Sequence, residues 1–180
     1  EAHCTRCALP FVSYLAGVHE CSECLTETRA FGRVFAIGIY QGLLLNLIVR
    51  MKYRHEELVA WRLGELLGSQ VRTEAYDLVV PVPLHASRLR QRGYNQSAWL
   101  AKSLAKKGRL AYDPFVLRKV GMTPVQTGLP REARLKNVRN SFEVDSDQVT
   151  GKRILLVDDV YTTGATLEAC ARVLKKAGNL

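Results

Sequence analysis

One stretch near the end of the chain restricts the fold more than any other part of the sequence. An apolar run at residues 153–157 leads directly into two acids, Asp158 and Asp159, then into a turn of small residues and a helical pattern. An apolar run that does not alternate with polar residues predicts a strand covered on both faces, as in a parallel sheet. A second run of this kind occurs at residues 78–83. We therefore predict an α/β fold whose open, mainly parallel sheet is flanked by helices.

The turn after the two acids has the residue types of a sugar-phosphate site. Threonine hydroxyls, the backbone N–H groups that Gly164 leaves accessible and the positive end of the next helix suit a phosphate dianion. Carboxylates would repel that phosphate, but they can accept hydrogen bonds from two ribose hydroxyls. The turn lacks the Lys of a nucleotide-hydrolase loop and the glycines of a dinucleotide fingerprint. The alternative to a sugar-phosphate site is an ordinary helix cap rich in threonine. The candidate binding residues are Asp158, Asp159, Val160, Tyr161, Thr162, Thr163, Gly164, Ala165 and Thr166.

Positive charge is concentrated in one segment. The net charge of the chain is +9, and residues 85–139 hold thirteen Lys and Arg against only Asp113 and Glu132. Such a field favours an anionic partner, either a polyphosphate or nucleic acid, although a solvated basic face is the alternative. Ligands of parallel sheets collect where strands end and helices begin. The arginines that follow residues 78–83 therefore resemble an anion clamp: Arg88, Arg90 and Arg92.

Residues 121–140 continue the basic segment without a clear periodicity. A long, basic stretch interrupted by glycine is typical either of disorder or of a lid over an anionic ligand, and we expect a lid. The same segment offers candidate contacts for the phosphates of single-stranded DNA, namely Arg131, Arg134, Lys136 and Arg139.

Four cysteines near the start of the chain form two pairs. Two residues separate Cys4 from Cys7 and Cys21 from Cys24, and thirteen residues lie between the pairs. This spacing lets four thiolates close on one tetrahedral Zn²⁺, and a full ligand shell indicates a structural site. Disulfides are the alternative, which a cytoplasmic location disfavours. We predict a zinc knuckle over residues 1–29, followed by the main domain over residues 30–180.

The middle of the chain contains further periodic segments. Residues 35–40 and 115–117 are predicted as strands, and residues 43–51 and 58–69 as helices. The polar stretch at residues 52–55 is typical of a turn. No apolar stretch approaches the roughly 18 residues of a membrane helix, and the first residues lack the pattern of a signal peptide. We therefore expect a cytoplasmic protein that does not insert into membranes.

Taken together, these motifs resemble the ComF family of phosphoribosyltransferase-like proteins. The resemblance rests on the acidic pair and the Thr162-Thr163-Gly164 and Thr166 that follow it. It rests also on residues 81–96, on the cysteine pairs and on Lys52-Tyr53-Arg54. It implies the open sheet of type I phosphoribosyltransferases, preceded by a zinc knuckle. It also implies a further strand after the last helix, and because the chain stops at Leu180 we expect that C-terminal strand to be missing.

The resemblance also implies a ligand, phosphoribosyl pyrophosphate bound together with Mg²⁺. Asp158 and Asp159 would hold the ribose hydroxyls, and residues 162–166 would hold the 5′-phosphate. Residues 118–142 would form a hood over the ligand. The candidate residues for the pyrophosphate are Arg88, Arg90, Arg92, Asn95 and Gln96.

Members of the family are implicated in DNA uptake during natural transformation, where they handle incoming single strands in the cytoplasm. This role implies single-stranded DNA and a DNA-uptake helicase as candidate partners. One hypothesis is a phosphoribosyltransferase of unknown acceptor, acting in this role or in nucleotide metabolism. The other is a non-catalytic sugar-phosphate sensor or single-stranded DNA-binding module. The sequence marks no side chain as a base for an acceptor, so we assign no catalytic residue.

Overall fold

The computed structural model describes residues 3–11, 19–120 and 141–178. The helices in these ranges are α1 (Ser22–Thr26), α2 (Gly42–Tyr53), α3 (Glu57–Gln70), α4 (Ala86–Arg92), α5 (Gln96–Gly108) and α6 (Ala165–Gly178). The strands are β1 (Leu78–Pro81), β2 (Ala111–Tyr112), β3 (Leu117–Lys119), β4 (Phe142–Val144) and β5 (Ile154–Val157). None of the helices in this part of the chain is long and apolar enough to cross a membrane.

A parallel sheet with the strand order β2-β1-β5 forms the centre of the fold. β1 and β5 pair along their whole length, beginning with Leu78 opposite Ile154. Hydrogen bonds between Arg153 and Asp77 join the starting ends of the two strands. Arg153 donates to the Asp77 carboxylate through its backbone N–H at 2.8 Å and its guanidinium at 3.0 Å. Both strands run the same way, so the segments that follow them emerge side by side at the carboxyl end of the sheet.

Successive residues of β1 face two different cores. Val79 belongs to a core that contains Leu100 and other residues of α2, α3 and α5. Leu78 and Val80 belong to a second core, which contains Cys170 and other residues of α6. Helices therefore cover both faces of the strand, which explains why its sequence is apolar without alternation. The prediction of a parallel sheet flanked by helices is confirmed.

A second sheet consists of the antiparallel strands β3 and β4, with Leu117 opposite Val144. The strand predicted at residues 115–117 begins two residues later, and its partner β4 was not predicted. The segment at residues 121–140, with the predicted lid, lies outside the described residues. The candidate DNA contacts Arg131, Arg134, Lys136 and Arg139 lie there too.

The strand predicted at residues 35–40 is wrong, since the structure has no strand in that segment. A strand needs a neighbour whose backbone N–H and C=O groups can pair with its own. Within the described ranges β5 pairs only with β1, and a cavity of about 310 Å³ is lined by residues 30–35 on one side and β5 on the other. The apolar side chains Phe35 and Ile37 pack against the core of α2, α3 and α5 instead.

Helices α3 and α5 approach each other closely at Gly64, which generates a test of the fold. A Cβ atom at Gly64 would stand 2.5 Å from the Leu100 carbonyl oxygen and 2.7 Å from Ser103 Cβ. Overpacking typically costs about 1–3 kcal/mol, against a gain in helix propensity of about 1 kcal/mol. We expect Gly64→Ala to lower the free energy of unfolding, measured by chemical denaturation. Gly32→Ala is the control, because a Cβ atom there meets nothing within 4 Å, and equal stability of the two variants would contradict the close approach.

Candidate functional site

Asp158 and Asp159 lie directly after β5, at the carboxyl end of the sheet. Asp158 Oδ1 accepts hydrogen bonds from Ser97 Oγ and from the Asp159 backbone N–H, both at 2.9 Å. Ser97 lies in the first turn of α5, in the segment that follows β1. The parallel pairing of β1 and β5 therefore brings the acidic pair into direct contact with the segment that carries the clustered arginines.

The surroundings of Asp158 favour its neutral form. Burial, followed by the negative charge of Asp159, raises the pKa of Asp158 from 3.8 to about 7, although its hydrogen bonds and the charge of Lys52 act in the opposite direction. A carboxyl group with a pKa near neutrality exchanges its proton at physiological pH. The acidic pair can therefore carry either one or two negative charges, depending on what binds beside it.

A lysine that the sequence analysis assigned to a polar turn belongs to this site. Lys52 lies in the last turn of α2, and its Nζ is 3.0 Å from Asp159 Oδ2. Both side chains are largely shielded from solvent, with 17% and 13% of their surfaces exposed. The pairing is a tertiary contact, and the only signal in the sequence was the basic stretch at residues 52–55.

Three contacts hold the end of α2 against the junction of α4 and α5. Tyr94 Oη donates a hydrogen bond to the carbonyl oxygen of Met51. The rings of His55 and Tyr94 are 5.5 Å apart, and the Arg92 guanidinium lies 5.6 Å from the centre of the Tyr53 ring in a cation–π contact. These contacts fix α2 in the position from which its lysine reaches the acidic pair.

The predicted phosphate-binding turn connects the acidic pair to α6. Gly164 has a left-handed φ of +76°, and the Ala165 N–H points to Thr163 Oγ1 at 3.4 Å. Thr162 and Thr163 are exposed, and Thr166 is partly exposed in the first turn of the helix. The first N–H groups of a helix have no intrahelical partner. Hydroxyls and backbone donors therefore lie together at a place that can accept an anion.

The three arginines of the predicted anion clamp lie on the short helix α4. His85 caps its start by accepting a backbone hydrogen bond, and Gly93 ends it with a φ of +73°. Arg88 and Arg90 are exposed, whereas Arg92 is partly buried. This arrangement leaves two guanidinium groups accessible to an anion at the end of β1.

Asn95 and Gln96 join α4 to α5. Asn95 caps α5 by accepting from the Ser97 N–H at 3.1 Å, and its Nδ2 donates to the Val82 carbonyl oxygen at 3.0 Å. Gln96 is 1% exposed, and its Oε1 accepts from Arg92 at 3.3 Å. Gln96 Nε2 is buried without a hydrogen-bond partner in the part of the chain that the structure describes. Because an unpaired buried donor is costly, this amide is a candidate donor to a bound oxygen.

A further cation, Lys119 of β3, lies near this region and was not singled out from the sequence. Burial, together with the positive charge of Arg88, lowers the pKa of Lys119, while the charge of Asp158 acts in the opposite direction. Its Nζ lies 5.3 Å from the centre of the Phe142 ring. Lys119 thus contributes to the positive potential around the arginines of α4.

The four cysteines predicted to bind a metal converge in the structure. Their sulfur atoms all lie within 4.8 Å of one another, and the sulfurs of Cys7 and Cys21 are 3.8 Å apart. Tetrahedral coordination with Zn–S bonds of about 2.3 Å places sulfurs about 3.8 Å apart. All five cysteines of the chain are free thiols. The arrangement of Cys4, Cys7, Cys21 and Cys24 therefore fits a metal ion.

The cysteine thiols differ in acidity. Burial acts to raise the pKa of Cys4, but the backbone N–H groups of Cys7 and Cys21 that donate to its sulfur outweigh burial and lower the pKa to about 6. Burial and the neighbouring thiols raise the pKa of Cys24. A divalent cation favours the thiolate form of each ligand, so metal binding would release protons from the less acidic thiols.

The cysteine cluster adjoins the phosphate turn. Tyr161 packs against the buried side chains of Cys4, Cys7 and Cys24, and Val160 packs against the core of α2, α3 and α5. These two members of the predicted phosphoribosyl-binding set therefore have packing contacts that their positions in the motif did not reveal.

The cysteine cluster generates a prediction about metal content. We expect the reduced, folded chain to contain about one equivalent of Zn²⁺, measured by elemental analysis. Cys21→Ser should lower the zinc content, because it removes one thiolate ligand. Cys170→Ala is the control and should retain zinc, since Cys170 lies in the core beside α6. A folded, reduced sample without zinc would contradict the prediction.

The raised pKa of Asp158 generates a prediction about pH. The folded state keeps a proton that the unfolded chain loses above pH 3.8, so the contribution of Asp158 to stability falls as the pH rises from 3.8 to about 7. We expect Asp158→Asn to reduce this decline in the free energy of unfolding, measured by urea denaturation across that range. The exposed acid Asp147 provides the control variant Asp147→Asn, and identical pH profiles for both variants would contradict the assignment.

Comparison with known proteins shows which families and structures the chain resembles. The phosphoribosyl transferase domain family matches residues 100–179, which include the acidic pair and α6. A glutamine phosphoribosylpyrophosphate amidotransferase from Bacillus subtilis, solved in complex with ADP and GMP, is 27% identical with a TM-score of 0.47, over 66% of this chain and 24% of that chain.

Three relatives match more of this chain than the amidotransferase does, and at higher identity. Competence protein ComFC of Bacillus subtilis is 33% identical over 79% of this chain and 58% of its own length. The DNA utilization protein YhgH of Escherichia coli K12 is 31% identical over 97% of this chain and 78% of its own length. Competence protein F of Haemophilus influenzae is 30% identical over 98% of this chain and 80% of its own length. The chain therefore belongs to the ComF family of phosphoribosyltransferase-like proteins.

Proposed function

We propose that the chain binds phosphoribosyl pyrophosphate together with Mg²⁺ at the carboxyl end of β5. The observation that carries this proposal is the hydrogen bond from Ser97 to Asp158 at 2.9 Å. It joins the acidic pair, which leads into the phosphate turn, to the start of α5, which follows the helix with the three arginines. A ligand with a ribose between two phosphate groups matches this order of acidic and basic parts.

The acidic pair supports recognition of the ribose. Carboxylates that accept hydrogen bonds from a diol hold the ring in a defined orientation, and bonds to charged acceptors are the stronger ones. Lys52, paired with Asp159 at 3.0 Å, compensates the negative charge that would otherwise repel a phosphorylated ligand. Ser97 orients Asp158 from the opposite side.

The start of α6 and the helix α4 support recognition of the two phosphate ends. The exposed hydroxyls of Thr162 and Thr163 adjoin the positive end of α6, where an anion is favoured by the helix dipole. On the other side, the exposed Arg88 and Arg90 provide donors for a pyrophosphate, as does Gln96 Nε2, which has no hydrogen-bond partner among the described residues.

These contacts define what the chain's own residues would do if the ligand is turned over. When the bond between C1 of the ribose and pyrophosphate breaks, negative charge grows on the leaving group, and the guanidinium groups of α4 would stabilise that charge. Bound Mg²⁺ supplies further charge neutralisation on the pyrophosphate. The acceptor, a nitrogen nucleophile or water, is left unassigned, as is a base for it.

In the cell, we propose a role in DNA uptake and in the handling of single-stranded DNA in the cytoplasm, alongside an uptake helicase. The names of the relatives, competence protein F and DNA utilization protein, support that role. The surface formed by α3 and α5 supports direct contact with DNA, because the ammonium groups of Lys102 and Lys106 lie 5.5 and 5.3 Å from the rings of Trp99 of α5 and Trp61 of α3. Aromatic rings combined with cations are typical of single-strand binding sites.

A binding module without turnover is the second candidate. The described contacts of Asp158, Asp159 and Lys52 account for binding without requiring a reaction. Release of pyrophosphate from phosphoribosyl pyrophosphate and Mg²⁺, assayed with and without candidate bases and DNA, separates the two candidates. Release would support the enzyme, and binding without release would support the sensor.

Replacement of the two acids tests the proposed ligand. We expect Asp158→Asn combined with Asp159→Asn to weaken phosphoribosyl pyrophosphate binding by a few kcal/mol, because hydrogen bonds to charged acceptors contribute roughly 1.5–3 kcal/mol each. Isothermal titration calorimetry measures the change. The control combines Asp145→Asn with Asp147→Asn, two exposed acids, so that both double variants replace two carboxyl groups by amides. Unchanged affinity in the Asp158 and Asp159 variant would show that these acids serve only to order the turn.

The basic segment gives a separate prediction about DNA. Affinity for single-stranded DNA should fall as salt rises, and each lost phosphate contact should remove about 0.7 from the slope of log affinity against log salt. The absence of detectable DNA binding by the unmodified chain even at low salt, or a slope that replacing the four residues named next leaves unchanged, would contradict direct contact by those residues. The test variant carries four simultaneous replacements by Gln, at Arg131, Arg134, Lys136 and Arg139. The matched control variant carries four replacements by Gln at exposed residues outside residues 85–139, namely Arg62, Arg72, Lys175 and Lys176.

A further inference from the structure

Tyr161 connects the phosphate turn to the cysteine cluster. It lies between the acidic pair and Thr162, so its backbone is part of the turn. Its side chain packs against the buried Cys4, Cys7 and Cys24, in a small apolar group that also includes Leu9 and Phe11. A residue in the middle of the proposed ligand site therefore rests on the proposed metal ligands.

The other side of the Tyr161 ring rests on the turn itself. A Cβ atom at Gly164 would stand 2.6 Å from Tyr161 Oη and 2.9 Å from Tyr161 Cε2. The contact is possible only because residue 164 has no side chain, and its φ of +76° also favours glycine. The ring thus fills the space between the cysteines and the point where the turn enters α6. Its hydroxyl is buried without a hydrogen-bond partner within the described ranges, so the ring acts through packing.

A second contact joins the same two parts of the molecule. Glu168, in the first turn of α6, accepts a hydrogen bond from the Ala30 backbone N–H at 2.9 Å and another from Arg172 at 2.8 Å. Ala30 directly follows Arg29, which is paired with Glu23 of α1 at 3.1 Å. The phosphate turn therefore lies between two attachments to the cysteine-containing segment, one at Tyr161 and one at Glu168.

We infer that Tyr161 is a positioning residue that couples metal binding by the four cysteines to the conformation of the phosphate turn. The cysteine-containing segment, residues 1–29, is too short to bury a sufficient core of its own, so a bound metal would supply much of its folding free energy. Loss of the metal would loosen the surface on which the Tyr161 ring rests. The turn would then lose one of its supports, and a ligand would have to order it on binding.

The coupling has a reciprocal consequence for the ligand, and this half of the inference rests on the proposed function. If metal raises the affinity for a sugar phosphate, the sugar phosphate must raise the affinity for metal by the same factor. Couplings of this kind typically amount to about 5-fold to 150-fold. The knuckle and the ligand site are then one cooperative unit, in contrast to two independent parts divided after residue 29.

Hydrogen exchange tests the coupling without any ligand. We expect removal of zinc by a chelator to accelerate amide exchange in a peptide spanning residues 158–166, while a peptide spanning β1 stays protected and shows that the sheet is intact. In the zinc-loaded chain, Tyr161→Ala should reproduce the fast exchange of the turn. Tyr161→Phe should restore slow exchange, because it keeps the ring and removes only an unpartnered hydroxyl. Equal exchange of the turn with and without zinc, or fast exchange in the Phe variant, would overturn the inference.

A titration with ribose 5-phosphate tests the second half. The zinc-loaded chain should bind it about 5-fold to 150-fold more tightly than the zinc-free chain, and Tyr161→Ala should remove that difference. Equal affinity in the two metal states would overturn the coupling and leave the proposed ligand intact. No binding in either state would contradict the proposed function, while the exchange experiment would still decide whether Tyr161 transmits metal binding to the turn.

Discussion

The parallel pairing of β1 with β5 is the interaction on which the rest of the site depends. The hydrogen bonds between Arg153 and Asp77 fix the starting ends of these strands. The register of the two strands then determines which residues meet at the other end. Val82 continues the pairing past β1, with its N–H donating to the Val157 carbonyl oxygen at 2.9 Å. Beyond that point β1 is followed by α4 and α5 and β5 by α6, and the hydrogen bond between Ser97 and Asp158 joins the start of α5 to the acidic pair. A slip in the pairing would separate the acids from the arginines.

The site also depends on elements far from this pairing in sequence. Lys52 at the end of α2 compensates Asp159, and the Tyr161 ring supports the turn from the side of the cysteines. Burial of Asp158 beside Asp159 raises its pKa to about 7, a shift that Lys52 partly offsets. Ligand binding can therefore change the charge of the acidic pair. Lys52 of α2 offsets part of the negative charge of the pair, and the cysteine cluster supports the neighbouring turn through Tyr161.

The sequence predicted the parts of this structure that follow from local chemistry. The uninterrupted apolar runs identified β1 and β5, the helical periods identified α2 and α3, and the cysteine spacing identified the four cysteines that converge. It failed where the outcome depends on a distant partner. Residues 35–40 have the composition of a strand, but they have no pairing neighbour in the described ranges, and β4 becomes a strand only because β3 lies opposite. Lys52 and Tyr161 were assigned to a turn and to the phosphate motif, because the contacts that define their roles join segments far apart in the chain.

The central claim is that one ligand spans the acidic pair and the start of α6. A crystal structure of the zinc-loaded chain with ribose 5-phosphate tests it most directly. We expect ribose hydroxyls hydrogen-bonded to Asp158 and Asp159, with the phosphate held by Thr163 and the first backbone N–H groups of α6. A phosphate bound instead to the arginines of α4, with Asp159 still paired only to Lys52 and no sugar at the acids, would contradict it.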